Sequence, residues 1–212
     1  MFNVCVGCGA YRVDKQIEAA GGVEAVAVCP ECGQRHSFLR QPLFVLTGAS
    51  GVGKTAVSHQ LAHQLSQVVL LDGDILWSEA FRAQENWHQY HNLWLRLAKN
   101  VGQAGKPVLL TGAGLGVPSN LESCEERRYF GNIHYLVLVC EDDQLARRLR
   151  ARPAWRESGG AGFVAAQLDF NRWFKETGST ITPLMTLLDT TKATVEETAV
   201  SVSHWLVGNI VV

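Results

Sequence analysis

No stretch of this chain is both apolar and long enough to cross a bilayer. Its apolar runs, such as Tyr135-Leu136-Val137-Leu138-Val139-Cys140, fall far short of the about 20 residues a spanning helix needs. A basic segment leading into an apolar core is also missing at the N-terminus, so neither a secretory signal nor a membrane partner is expected. Charge of one sign is not in excess. The formal net charge is −1, which removes any global pull toward nucleic acid or anionic lipid. Internal repeats and low-complexity segments are absent as well. A cytoplasmic, reducing setting is expected, where the six cysteines act as thiols or metal ligands, not as disulfides. With 212 residues, 47% of them hydrophobic, the chain can build one sizeable core and a small appendage.

What is present starts with Gly48-Ala49-Ser50-Gly51-Val52-Gly53-Lys54-Thr55, which satisfies G-x-x-x-x-G-K-[ST] at each fixed position. The preceding Pro42–Thr47 reads as a buried strand. Ala56, Val57, Leu61, Ala62 and Leu65 then recur at helical spacing. A strand, a glycine loop and a helix in that order are the context a P-loop requires. Glycines let successive backbone N–H groups turn inward on phosphate oxygens, and the helix adds its positive end. Lys54 is placed to reach the β- and γ-phosphates, and the Thr55 hydroxyl to ligate Mg²⁺. The nucleotide-binding set expected is Gly48 through Thr55 together with Ala56.

Ahead of this lie two C-x2-C pairs, Cys5/Cys8 and Cys29/Cys32. Their spacing is that of a four-thiolate Zn²⁺ site, closed to water and therefore structural. About forty residues hold too little core to fold alone, so the metal would supply stability. In this segment Arg12, Lys15, Arg35 and Arg40 are balanced by Asp14, Glu18, Glu24 and Glu31. A docking role, toward a protein partner or a second copy, is favoured over phosphate attraction. His36 reads as a surface or packing residue.

Val68–Leu71 reads as the second strand of the larger unit, running into Asp72-Gly73-Asp74. Ligands of doubly wound sheets sit beyond strand C-termini, which sets both acids near the P-loop. One can accept a proton from an attacking hydroxyl or hold Mg²⁺ water, and the other can grip a substrate hydroxyl or amine. Trp87, Tyr90, Trp94, Leu97 and Val101 then step by three and four, marking an amphipathic helix whose stripe is expected to be core. Trp77, just after the acids, is the candidate to stack on a ring-bearing substrate. His88 and His91 read as exposed polar residues. A third strand, Lys106–Thr111, runs into Gly112-Ala113-Gly114 with no Walker B aspartate, which weakens an ordinary ATPase or GTPase reading.

The fourth strand is Ile133–Cys140. The helix after it carries Arg147, Arg148 and Arg150, followed by Arg152 and Arg156. A run of arginines without interleaved acids can close over a transferring phosphoryl group, with Ser158–Gly162 supplying hinge freedom. Arg148, Arg152 and Arg156, spaced by four, are the ones expected to act. Pro183–Leu188 reads as the fifth strand and residues from about 195 to 207 as the closing helix. Cys124 and Cys140 have no activating neighbour in the sequence.

The P-loop helix followed by a strand ending Leu-Asp-Gly-Asp resembles the P-loop small-molecule kinases, among them gluconate, shikimate and adenylylsulfate kinases and chloramphenicol phosphotransferase. Residues 43–212 also resemble bacterial nucleoside or nucleotide kinase-type proteins, some with the same ribbon in front. The resemblance implies an α/β, three-layer fold with a five-stranded parallel sheet. It divides the chain into a zinc ribbon at 1–41 and a kinase domain at 42–212, with a lid at about 147–165. It makes Asp72 the base or Mg²⁺ organiser and Asp74 the acceptor contact. Backbone N–H groups of Gly112 and Gly114 would touch substrate, and Thr190 and Thr191 would lie near the adenine. ATP, Mg²⁺ and structural Zn²⁺ are the cofactors implied, and a small molecule the phosphate acceptor. Two alternatives remain open at this point: a nucleic-acid end kinase guided by the ribbon, and a non-catalytic ATP-binding regulatory module.

Overall fold

The computed structural model describes residues 3–76, 78 and 87–210. Two sheets form among them, a three-stranded antiparallel one and a five-stranded parallel one. The larger is built from β4 (Leu43–Thr47), β5 (Val69–Asp72), β6 (Val108–Thr111), β7 (Ile133–Val139) and β8 (Met185–Asp189), in spatial order β5-β6-β4-β7-β8. β4 is central and buried at each position, as a strand covered on both faces should be. Its alternate residues feed two cores. Leu43 and Val45 join Tyr90, Trp94, Leu110 and Val137 on one face, while Phe44 and Leu46 join Val57, Leu61, Leu138 and Leu206 on the other.

The expected strands are all present, with ends shifted by a residue or two. β8 begins at Met185 instead of Pro183, a residue that has no N–H to give a ladder. The helices are α1 (Lys54–Leu61), α2 (Trp87–Gly102), α3 (Pro118–Glu122), α4 (Asp142–Arg150), α5 (Ala161–Thr177) and α6 (Val195–Asn209). Thr194 and Glu197 form a reciprocal capping box at the start of α6. The stripe of α2 is core from Tyr90 onward, with Tyr90 and Trp94 buried and Leu97 and Val101 packed against them, but Trp87, at the first position of the helix, is exposed. A second expectation fails on the same helix. His91 is buried, not exposed, because α2 packs on two sides and its covered face widens to include residues 90, 91, 94, 95 and 98. That burial lowers its pKa. His88 is exposed, and it pairs with Glu125 at 3.3 Å.

The smaller sheet comprises β1 (Gln16–Gly21), β2 (Glu24–Val28) and β3 (Arg35–Leu39), paired antiparallel. Its buried face presents Ala25, Ala27 and Phe38 to Tyr129, whose ring meets Phe38 edge-on at 5.8 Å. Polar bonds fix the contact further. The Gln103 side chain grips Leu39 by both backbone groups, each at 2.9 Å, and Tyr129 Oη donates to Val13 O at 2.8 Å.

At the centre of this contact Glu126 is fully buried. It accepts from Lys99 Nζ (2.6 Å), Arg96 Nε (2.8 Å) and Asn3 Nδ2 (3.0 Å). Burial would raise its pKa, but these donors outweigh it and hold the carboxyl below the ordinary value. Lys99 and Arg96 belong to α2. The same helix, nearer its start, sends Tyr90 Oη to Gly73 O at 2.6 Å, between the two candidate acids. One helix thus links the small sheet to the Asp72–Asp74 turn.

Candidate active site

The P-loop follows β4 at the C-terminal edge of the sheet, where the strand order reverses and open α/β folds bind ligands. Gly48 has φ +136, and a Cβ there would collide with the carbonyl oxygen of Leu138. Gly53, at φ +112, is the N-cap of α1. Both fixed glycines of the motif are therefore required by conformation. Lys54 folds back, its Nζ donating to Gly48 O (2.7 Å) and Ala49 O (3.0 Å). Burial, with the charge of Arg152 adding to it, pushes the Lys54 pKa down to about 8 against the pull of Asp74 and Asp72. An ammonium in this state gains when an anion arrives.

A cleft of about 570 Å³ opens over the loop. It is lined by P-loop residues including Lys54 and Thr55, by Arg148, Arg152 and Arg156, and by Asp74. The three arginines spaced by four do converge. They differ in setting, however. Arg148 lies on α4 and is anchored, donating to Thr190 O (2.8 Å), Thr190 Oγ1 (3.2 Å) and Val52 O (3.4 Å). Arg152 and Arg156 flank or end the short 3-10 turn at Ala154–Arg156. Arg147 lines a separate groove with Asp142 and Arg172.

Asp72 does not line the cleft itself. Its Oδ1 accepts the Asp74 amide at 2.9 Å, and its charge reaches Lys54. Thr55, Asp72 and Asp74 are oxygen donors of the hard kind Mg²⁺ prefers, and a Mg²⁺ ion fits that chemistry. One expectation needs correction. The Gly112 amide cannot serve a substrate, because it donates to Leu46 O at 3.1 Å and extends the β4–β6 ladder. Gly114 does not line the cleft; its backbone bonds the buried His91, and its carbonyl accepts from Asn120 Nδ2 at 3.1 Å. Trp77 lies outside the described residues. Thr190 is buried and bonds both Val52 O (3.1 Å) and Val139 O (3.2 Å). It shares a second cavity of about 170 Å³ with Val52, Arg148, Thr194 and Val195.

Three residues of the site are not singled out by sequence patterns. Trp155 is 75% exposed and lines the cleft, with Arg156 stacked 5.0 Å from its ring centroid. Its signal was an aromatic inside an arginine run. His59 also lines the cleft. Gln167, on α5, accepts from the Ser50 amide at 2.7 Å across 117 residues of sequence, and nothing local marks it.

At the other end of the molecule the sulfurs of Cys5, Cys8, Cys29 and Cys32 all lie within 4.8 Å of one another. Cys5–Cys32 is 3.6 Å and Cys8–Cys29 is 3.9 Å, too long for disulfides. Zn–S bonds of about 2.3 Å at tetrahedral angles put sulfurs about 3.8 Å apart, so the cluster fits zinc. Each knuckle closes alike, Gly9 N on Cys5 O (2.8 Å) and Gly33 N on Cys29 O (2.9 Å). Arg12 pairs with Asp14 and Glu31, and Arg35 with Glu18, which leaves these ribbon arginines neutralised. His36 is buried, in keeping with a packing role. Cys124 and Cys140 are buried, and burial raises both thiols, Cys124 to about 12.

A family model described as AAA domain matches residues 45–161. A sugar kinase from Janibacter sp. HTCC2649 shares the fold with TM-score 0.59 at 17% identity, over 78% of this chain and 94% of that one. The tunicamycin resistance protein of Deinococcus radiodurans does so with TM-score 0.56 at 18% identity, over 79% and 96%. For a gluconokinase from Sinorhizobium meliloti 1021 the TM-score is 0.52 at 18% identity, over 80% and 95%. At such identities the likeness is one of fold. No curated protein matches the chain.

Proposed function

The chain belongs to the AAA domain family, and on that premise we propose that it is an ATP-dependent kinase that transfers the γ-phosphate to a small molecule, at a hydroxyl or phosphate. The observation that carries this reading is the single cleft. P-loop lysine, converging arginines and an acid just past the end of β5 all face one space. A nucleotide-binding module without an acceptor would need only the first of these.

In this reading the loop of residues 48–56 wraps the phosphates, and Lys54 leaves its two carbonyls for the β- and γ-oxygens. Thr55 and Asp72 are the residues that would hold Mg²⁺, which would supply charge neutralisation for the transferring phosphoryl group. Arg148 marks the fixed wall, and Arg152 and Arg156 spread the charge that develops on the transferring group. Asp74 orients the attacking hydroxyl. The adenine takes the smaller cavity beside Thr190 and Val195. The four cysteines hold structural Zn²⁺. With Arg12 and Arg35 of the ribbon paired to ribbon acids, oligonucleotides are not the favoured acceptor.

The test is a radiolabelled γ-phosphate transfer screen over nucleosides, nucleotides, sugars and aminoglycoside-like alcohols, with Mg²⁺ present. Transfer to at least one acceptor is expected. ATP binding with no transfer to any acceptor, unaffected by Asp72→Asn, would instead mark a regulatory module.

A pH effect follows from Lys54. Its free pKa is about 8, and a bound triphosphate raises it toward or above the ordinary lysine value. Binding near and above pH 8 therefore takes up a proton, and affinity falls as pH rises through that range, by up to about tenfold per unit. Calorimetry in buffers of differing ionisation heat should record proton uptake at pH 8 and little at pH 6.5. Equal uptake at both would contradict the assignment.

A further inference from the structure

The P-loop carries a protein oxygen where a phosphate oxygen is expected. The Ser50 amide, in the first half of the loop, donates to Gln167 Oε1 at 2.7 Å. Ser50 itself lines the cleft alongside Lys54, Arg152 and Arg156. The carboxamide orientation is forced, since an N–H can only donate and its partner must be the oxygen. The Nε2 of Gln167 is thereby turned away from Ser50. Among the described residues it meets no protein acceptor.

Gln167 is held in place by its own helix. One turn further along α5, Asn171 is fully buried and clamps Cys140, giving Nδ2–H to Cys140 O (2.8 Å) and accepting from Cys140 N (3.3 Å). Val164 and Phe174, on the same face, are buried in the two cores. The helix is thus pinned to the end of β7, and it follows directly on the arginine segment. A carboxamide set on so firm a base is not a random surface contact.

We propose that Gln167 reads the terminal phosphate of the bound nucleotide. Its Oε1 holds the Ser50 amide in place, and its Nε2 supplies N–H donors to the γ-phosphate. This rests on the kinase reading above and deepens it by adding a specificity residue for triphosphate over diphosphate. A carboxylate in the same place would keep the Ser50 bond and replace two donors by a negative charge.

The experiment compares ATP and ADP affinities of the full chain, wild type and Gln167→Glu, with Gln167→Met as the neutral variant. Gln167→Glu should weaken ATP by roughly 10- to 100-fold, the scale of a hydrogen bond lost to a charged group, while ADP moves less than about threefold. Gln167→Met should fall between, and thermal unfolding should report each variant as folded. Equal losses for ATP and ADP would overturn the proposal and leave Gln167 as a prop for the loop. Unchanged ATP binding in Gln167→Glu would overturn it too. A wild-type chain that binds neither nucleotide would defeat the kinase reading itself, and this inference with it.

Discussion

Replacing Cys29 and Cys32 with serine is expected to raise the KM for the phosphate acceptor by roughly 10- to 100-fold while the Kd for ATP stays within about threefold. The route is physical. Loss of two thiolates removes the metal, and a small ribbon without its metal does not hold its fold. Asn3 then leaves Glu126, and Leu39 leaves Gln103. Helix α2 loses the support at its C-terminal end, where Lys99 bonds Asn3 and Gln103, just past the helix, grips Leu39. Its N-terminal half holds the Gly73 carbonyl through Tyr90, so the turn bearing Asp72 and Asp74 drifts. A shift near 1 Å at an acceptor-orienting acid is enough for an effect of this size. The P-loop is insulated, because it hangs on β4 and on α1, which packs against α6. Metal analysis should accompany the kinetics, with about one zinc per wild-type chain. Equal damage to both ligands, or none to either, would show that the ribbon does not support the acid turn.

The second large effect is expected at Lys54. Lys54→Ala should lower kcat/KM for transfer by about 100- to 1000-fold, the scale of a lost charge-stabilising donor. The same substitution should leave Tm unchanged or slightly higher. The reason is that the folded protein holds Lys54 at a pKa of about 8, so its ammonium is disfavoured there relative to the unfolded chain. Losses combined with Arg152→Ala should fall short of additive, since both groups act on one phosphate. A variant with near-normal transfer would remove Lys54 from the reaction. One with collapsed Tm would make its loss of activity uninformative.

Much of the scaffold could be read from local pattern. The central strand is apolar from Leu43 to Leu46, and the P-loop follows it with both strained glycines in place. The α2 stripe repeats at three and four residues, and that pattern marks Tyr90 and Trp94 as core, though it overreaches at Trp87. Cysteine spacing foretells the sulfur cluster. Contacts between distant segments have no such local sign. The Gln167–Ser50 bond joins residues 117 apart, and Glu126 meets Asn3 across 123. His91 looks solvated on a helical wheel until a second packing surface is known. Gly112 looks like a free backbone donor until the β4–β6 register commits its amide to Leu46. In each case, the missing information is a pairing between segments, and composition and period do not carry it.

The most direct measurement is a crystal structure with Mg²⁺ and a non-hydrolysable ATP analogue. The terminal phosphate should lie within hydrogen-bond reach of Lys54 Nζ, inside the cleft shared by Arg152, Arg156 and Asp74. A triphosphate found elsewhere, or one whose terminal phosphate points away from Asp72 and Asp74, would contradict a phosphoryl transfer site.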